Sequence, residues 1–144
     1  MNVRDRIKEE LGAKITYWQE TNSKRIYFTI DKKDIFKTVE FIFRKLGLRF
    51  AIASGINTPS GFEILYHFSY DKAGEVYSVR VLIDEKNNPE IDSISSIFPG
   101  ADWIEREMWE LLGINFKGHP NLKHLLLSED WPEGEYPLRR KNEP

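Results

Sequence analysis

Apolar positions recur along the chain with two different periods, and each change of period marks an element. Val3, Ile7 and Leu11 stand at i, i+4 and i+8, with Asn2 placed to cap them and Gly12 to stop them, which predicts a first helix. Lys14–Trp18 and Arg25–Ile30 are extended runs, and the polar Glu20-Thr21-Asn22-Ser23 between them reads as a hairpin connection. Asp31 and Asp34 open a second helix that Gly47 ends; Ile35, Val39, Ile42 and Leu46 form its core stripe, flanked by Phe36 and Phe43. At about 100° per residue Phe41 falls nearly opposite that stripe, among Lys37, Arg44 and Lys45. Leu48–Ala53 predicts a short strand. Phe62–Tyr70 and Tyr77–Ile83 alternate with a period of two across the turn Asp71-Lys72-Ala73-Gly74, so these two strands should pair. Asn87-Asn88-Pro89 opens a loop, Pro99-Gly100 closes it, and a third helix runs from Asp102 to Leu112. After Gly113 the periodicity ends. Blocks in this order suggest an α+β fold in two layers, a mixed and mostly antiparallel sheet packed by helices. They divide the chain into a domain over residues 1–113 and an extended C-terminal arm over 114–144.

Composition narrows the function classes. With 144 residues the chain has the size of one domain, and 40% hydrophobic against 31% charged residues is a globular balance. Twenty-one basic and 23 acidic residues leave no field of one sign, which opposes nucleic-acid binding by charge. Without cysteine the chain has no thiolate for catalysis, zinc or an iron–sulfur cluster. The N-terminus has no apolar core of the signal-peptide kind and nowhere do 18 apolar residues run together, so a cytoplasmic chain is the expectation.

The candidate chemistry gathers on the third helix and beyond it. Asp102-Trp103-Ile104-Glu105 reads as a capping box, and Gly113 suits a left-handed stop. Ile104, Met108, Leu111 and Leu112 would face the core, with Trp103 on the polar side, while Asp102–Arg106 and Arg106–Glu110 are spaced as ion pairs. Glu105, Arg106 and Glu107 are either a charged cluster for binding or acid–base work or a solvated face, and the solvated face is the expectation. His119 and His124, five apart across Pro120, lack the spacing of a helical metal pair; His119 is better placed to fix a turn by hydrogen bonding, and His67 to be a satisfied structural residue. The sequence holds no GxxxxGK[ST], GxGxxG or GxSxG motif. The 31 residues after Gly113 nonetheless carry Phe116, Leu122, Leu125, Leu126, Leu127, Trp131 and Tyr136, more apolar surface than a disordered tail usually has. An arm that docks, on its own domain or on a partner, is the expectation.

The block Glu105-Arg106-Glu107-Met108-Trp109-Glu110-Leu111-Leu112-Gly113-Ile114-Asn115-Phe116-Lys117-Gly118-His119-Pro120-Asn121-Leu122 resembles the signature of the 30-kDa-type subunit family of respiratory complex I, which has homologues in membrane-bound, energy-converting nickel–iron hydrogenases. The resemblance extends over roughly residues 25–140, and Tyr136-Pro137-Leu138-Arg139-Arg140 is similar to the family's closing segment. Tyr136 stands where the respiratory subunits usually have His, and Lys141 where Asp would follow. These departures tilt the reading toward a ferredoxin-linked hydrogenase-type complex over a NADH- or deazaflavin-fed quinone-type complex I. The resemblance implies a structural subunit without cofactor, metal or active site of its own, on the cytoplasmic side of the membrane. It implies contact with the large nickel–iron-hydrogenase-like (49-kDa-type) subunit, the iron–sulfur small subunit and other members of the complex; the membrane would be reached only indirectly and nucleic acid not at all. The motif and interface residues expected are Trp103, Glu105, Arg106, Glu107, Trp109, Gly113, Phe116, Gly118, His119, Pro120, Leu122, Trp131, Pro137, Leu138, Arg139 and Arg140, with the off-core Phe41. A stand-alone enzyme using the acidic helix is the remote alternative.

Overall fold

The computed structural model describes residues 2–128 and 130–139. In chain order the elements are α1 (Val3–Leu11), β1 (Ile15–Asn22), β2 (Arg25–Ile30), α2 (Ile35–Glu40), β3 (Arg49–Thr58), β4 (Gly61–Tyr70), β5 (Glu75–Ile83), β6 (Glu90–Asp92), α3 (Ala101–Leu112) and β7 (Asn115–Lys117). The five long strands form one sheet in the order β1-β2-β5-β4-β3, and β6 and β7 form a separate pair. The fold is α+β with a mixed sheet, as expected. By compactness the chain divides into Met1–Ala53 with Leu65–Val81, and Ser54–Ile64 with Leu82–Pro144. This division differs from the expected one at residue 113.

In the first unit α1 forms where its period predicts it. Asn2 caps it by accepting from the Asp5 N–H at 2.9 Å, and Val3, Ile7 and Leu11 are buried. β1 and β2 pair antiparallel, Trp18 opposite Phe28, and their rings stack at 5.4 Å. β1 runs on through the polar residues expected to be loop, so only Ser23 and Lys24 connect the two strands. β2 pairs in parallel with β5, setting Ile26, Phe28 and Ile30 beside Tyr77, Val79 and Val81, all buried. The second helix departs most from its prediction. A 3-10 turn at Lys32–Asp34 precedes α2, and a π turn at Phe41–Lys45 follows it, closed by the Leu46 N–H on the Phe41 carbonyl. The wide turn holds one residue more than the 3.6 period allows. Ile35, Val39 and Ile42 are buried as predicted, while Leu46 and Phe41 are both half-buried. His67 is a satisfied structural residue: its Nδ1 lies 2.6 Å from Ser78 Oγ, and burial, with Arg25, pushes its pKa down.

In the second unit Phe62, Ile64, Ile83, Ile91, Ile94, Met108, Leu112, Ile114 and Phe116 are buried. Gly55 lets α3 come close: a Cβ there would stand 3.0 Å from Leu112 Cδ1 and 3.1 Å from Met108 Sδ. β6 and β7 pair in parallel, Ile91 opposite Phe116, a pairing that three-residue strands leave invisible to a periodicity search. The first residues of the expected arm are therefore core.

Candidate functional site

The third helix starts at Ala101, and Gly100 provides no side-chain cap. Asp102 consequently lies inside the first turn and the expected capping box does not form. Glu105 turns inward instead, accepting from Ser93 Oγ at 2.5 Å and from the Ile94 N–H at 2.9 Å. Burial pushes its pKa up to about 7; the two hydrogen bonds oppose the rise and Asp102 adds to it.

The expected solvated face is a buried one. Glu105, Arg106 and Glu110 are all buried, and of the charged triplet only Glu107 is exposed. Met108 and Leu112 face the core, but Ile104 and Leu111 are half-buried. What covers the charges is the chain's own segment 119–127, called here the strap. Arg106 donates from Nε to the Lys123 carbonyl (3.2 Å) and from Nη2 to the His124 carbonyl (2.9 Å). Glu110, rather than pairing with Arg106, accepts from the N–H groups of Leu125 (3.1 Å), Leu126 (2.6 Å) and Leu127 (3.0 Å). Cation and anion one turn apart thus satisfy consecutive carbonyls and consecutive amides of a strap that has no sheet or helix ladder of its own. Burial works to raise the Glu110 pKa, but the amides of Leu126, Leu127 and Leu125, with His124, outweigh it and hold the carboxyl below its usual value. His124 Nδ1 is 3.3 Å from Glu110, and its ring lies 5.4 Å from that of Trp109.

His119 fixes the turn that starts the strap. Its Nε2 is 3.1 Å from the Asp102 carbonyl and its Nδ1 accepts from the Asn121 N–H at 3.0 Å, so Nε2 carries the proton. Gly118 before it has φ +86°. At the other end of α3 Gly113 stops the helix as predicted, at φ +80°, its N–H on the Trp109 carbonyl at 2.8 Å. The chain returns to this point: the Leu138 N–H reaches the Leu111 carbonyl at 2.9 Å and Arg139 Nε the Leu112 carbonyl at 2.6 Å. The Arg139 guanidinium lies over the rings of Tyr136 (4.6 Å) and Phe62 (5.3 Å).

Of the other predicted residues, Phe116 is buried, Leu122 and Trp131 are half-buried, and Pro120 and Pro137 are exposed. Trp131 donates its indole N–H to the Glu135 carbonyl at 2.8 Å. Trp103, Leu126 and Leu138 expose large apolar side chains, Trp103 with 66% of its surface free. Arg140 lies outside the described residues. Sequence reasoning missed Ser93 and the Ile94 amide as partners of Glu105, and the strap backbone as the partner of Arg106 and Glu110. These contacts join residues 11 to 18 apart with no local period to reveal them. Among the described residues no group of three or more His, Asp or Glu could hold a metal ion, and no helix is long and apolar enough to cross a membrane.

The profile of the family described as respiratory-chain NADH dehydrogenase, 30 Kd subunit, matches residues 28–144, a span that holds the helix, the turn and the strap. The chain belongs to this family. A subunit of the NADH-quinone oxidoreductase of Chloroherpeton thalassium is 32% identical over 139 residues, covering 93% of this chain and 57% of that protein. A longer NADH-quinone oxidoreductase subunit, from Bacteroides thetaiotaomicron, is 32% identical over 111 residues, 75% of this chain and 21% of that protein. This member of the 30 Kd subunit family therefore spans well under two thirds of the curated relatives it matches. Among solved structures, the trypsin-resistant fragment (1-134) of Nqo5 aligns with TM-score 0.67 at 24% identity, over 83% of this chain and 98% of that one. The membrane-bound sulfane sulfur reductase, an archaeal respiratory membrane complex, holds a chain that aligns with TM-score 0.80 at 19% identity, over 95% of this chain and 81% of that one. At these identities the two show a shared fold.

Proposed function

We propose that this chain is a non-catalytic structural subunit of the peripheral arm of a membrane-attached, ion-translocating oxidoreductase related to complex I. It would dock on the large 49-kDa-type subunit and the iron–sulfur small subunit, on the cytoplasmic side, and reach the membrane only through partners. One observation carries the reading: the buried charged residues of the family motif, Glu105, Arg106 and Glu110, are taken up by groups of this same chain, so the motif builds a shape. Arg106 and Glu110 are occupied by the backbone of residues 123–127, and Glu105 by Ser93 and Ile94. The large apolar side chains left outside include Trp103, Leu126 and Leu138 near the motif and its strap, and an exposed Trp is of the kind that anchors interfaces.

Within that reading a hydrogenase-type, ferredoxin-linked assembly is favoured by the departures at Tyr136 and Lys141 from the respiratory pattern. The names of the curated relatives favour the quinone-type alternative.

The test is co-purification of a tagged chain expressed with the large and iron–sulfur subunits of its own genome. The wild-type chain should bring both down, and the double variant Trp103→Glu, Leu126→Asp should recover at least tenfold less while keeping its circular dichroism. Normal recovery with the double variant, or a wild-type chain recovered alone, would defeat the docking reading. Nickel in the recovered large subunit would support the hydrogenase type, and its absence the quinone type.

A further inference from the structure

A cavity of about 570 Å³ opens beside the C-terminal end of α3. Its lining includes Asn87, Asn88, Asn115, Trp109, Tyr136 and Arg139. Arg139 is the group that gives the cavity a chemistry. Its Nε is fixed on the Leu112 carbonyl at 2.6 Å, and its guanidinium lies over two aromatic rings. Its Nη2 packs so closely on Gly113 that a Cβ there would come within 2.6 Å. The cation is therefore held in one place before any ligand arrives, which lowers the ordering cost of binding. Among the described residues no carboxylate pairs with it and neither Nη has a hydrogen-bond acceptor. Burial has driven its pKa down, the mark of a cation short of counter-charge. One acid, Glu90, also borders the cavity, but it faces Lys117 at 3.6 Å. The three asparagines can donate amide N–H groups without adding charge.

We propose that this cavity recognises a single carboxylate, delivered by an acidic side chain of the partner subunit, with the free Nη groups of Arg139 as the charged donors and the asparagine amides as neutral ones. The identity of the carrier rests on the docking reading above; the carboxylate preference does not. A guanidinium edge suits a planar two-oxygen acceptor. The volume is in the range of small-ligand pockets, large enough for an acidic side chain with its flanking backbone.

Two measurements test the two parts separately. In the first, the full chain labelled with nitrogen-15 is titrated with N-acetyl-glutamate methylamide and with its glutamine counterpart. The acid should saturably shift the Arg139 Nε–H and Trp109 indole resonances, and the neutral probe should not. Arg139→Gln should weaken binding of the acid at least tenfold. Asn115→Asp, at an exposed position that leaves Arg139 in place, should weaken it too, by adding a negative charge to the wall. Equal shifts with both probes, or unchanged binding in Asn115→Asp, would overturn the carboxylate site. In the second, the chain is co-purified with its partner subunits. Arg139→Gln should lower recovery of the large subunit several-fold, and an Asp or Glu of that subunit should cross-link to Lys117, which neighbours Glu90 of the cavity lining. Acid-selective titration with normal recovery of Arg139→Gln would overturn the partner as carrier and leave a site for a free carboxylate. Failure of the wild-type chain to recover any partner would defeat the docking reading while the titration still stood.

Discussion

Two carboxylates on one helix have opposite electrostatic fates, and the difference lies in how deeply each is buried and in the number of donors each meets. Glu105 has one hydroxyl and one amide, too few to offset burial, and its pKa rises to about 7. Glu110 has three amides and a histidine, and its pKa falls. The signs of their pH dependence follow. The folded chain holds the Glu105 proton more tightly than the unfolded chain, so this group favours folding below about 4.5, and the contribution is lost as pH rises through about 7. Glu110 behaves oppositely, contributing above its unfolded value and losing that contribution as pH falls. A Glu105→Gln variant removes the first slope: its amide oxygen accepts from Ile94 while its NH₂ donates to Ser93 Oγ. Urea unfolding between about pH 4.5 and 8 should show wild type losing on the order of 3 kcal/mol relative to this variant; parallel curves would mean that Glu105 is not the titrating group. Glu110→Ala strips the acceptor from three strap amides, and should cost roughly 2–4 kcal/mol. Hydrogen exchange at Leu125, Leu126 and Leu127 should accelerate by at least tenfold, while Ile64 and Ile91 in the core remain protected. Glu110→Gln keeps one acceptor oxygen and should fall between the two.

At the scale of elements, Gly113 joins three of them. It ends α3 at a positive φ, leads into β7, and leaves the space that Tyr136 and Arg139 occupy, with Tyr136 Cε2 2.7 Å from where a Cβ would sit. Gly113→Ala combines the left-handed penalty of about 1–2 kcal/mol with displacement of both side chains. We expect a loss of about 2–3 kcal/mol in chemical denaturation, together with a change in Tyr136 fluorescence or ring resonances that a simple cap mutation would not produce. That glycine was legible from sequence, because a helical period stopped at it. The same reasoning located α1, the β4–β5 pair and the stop of α3, where period and punctuation agree. It went astray where one of them was missing. The π turn at Phe41–Lys45 breaks the period without glycine or proline to announce it, and Leu46, expected in the core stripe, is only half-buried beyond it. In α3 the charged residues look like a water-facing stripe because most of their hydrogen-bond partners are backbone groups, which carry no sequence letter. A polar face buried under an irregular strap and a polar face in water have the same pattern, and only the fold separates them.

At the scale of the whole molecule the question is where the folded domain ends. A cut after Leu112 removes Ile114 and Phe116, both buried, and takes from β6 its pairing partner β7. Fully burying two such side chains contributes roughly 3–6 kcal/mol, comparable to the entire stability of many domains. A chain of residues 1–112 should therefore be largely unfolded by circular dichroism and proteolysis. A cut after Lys117 keeps that core and removes the strap instead. Arg106 and Glu110 then lose their backbone partners but gain water, which satisfies charged groups at far lower cost than leaving them buried and unpaired. Residues 1–117 should remain folded, with stability lowered by a few kcal/mol and Trp109 fluorescence shifted to the red as its His124 neighbour is removed. This truncated chain should fail to recover the large subunit, because Leu126 and Leu138 are gone and the cavity has lost Arg139. If residues 1–112 and 1–117 unfold alike, β7 contributes less to the core than its burial implies. If residues 1–117 still assemble at normal yield, the interface lies away from the strap and the return of the chain to Gly113.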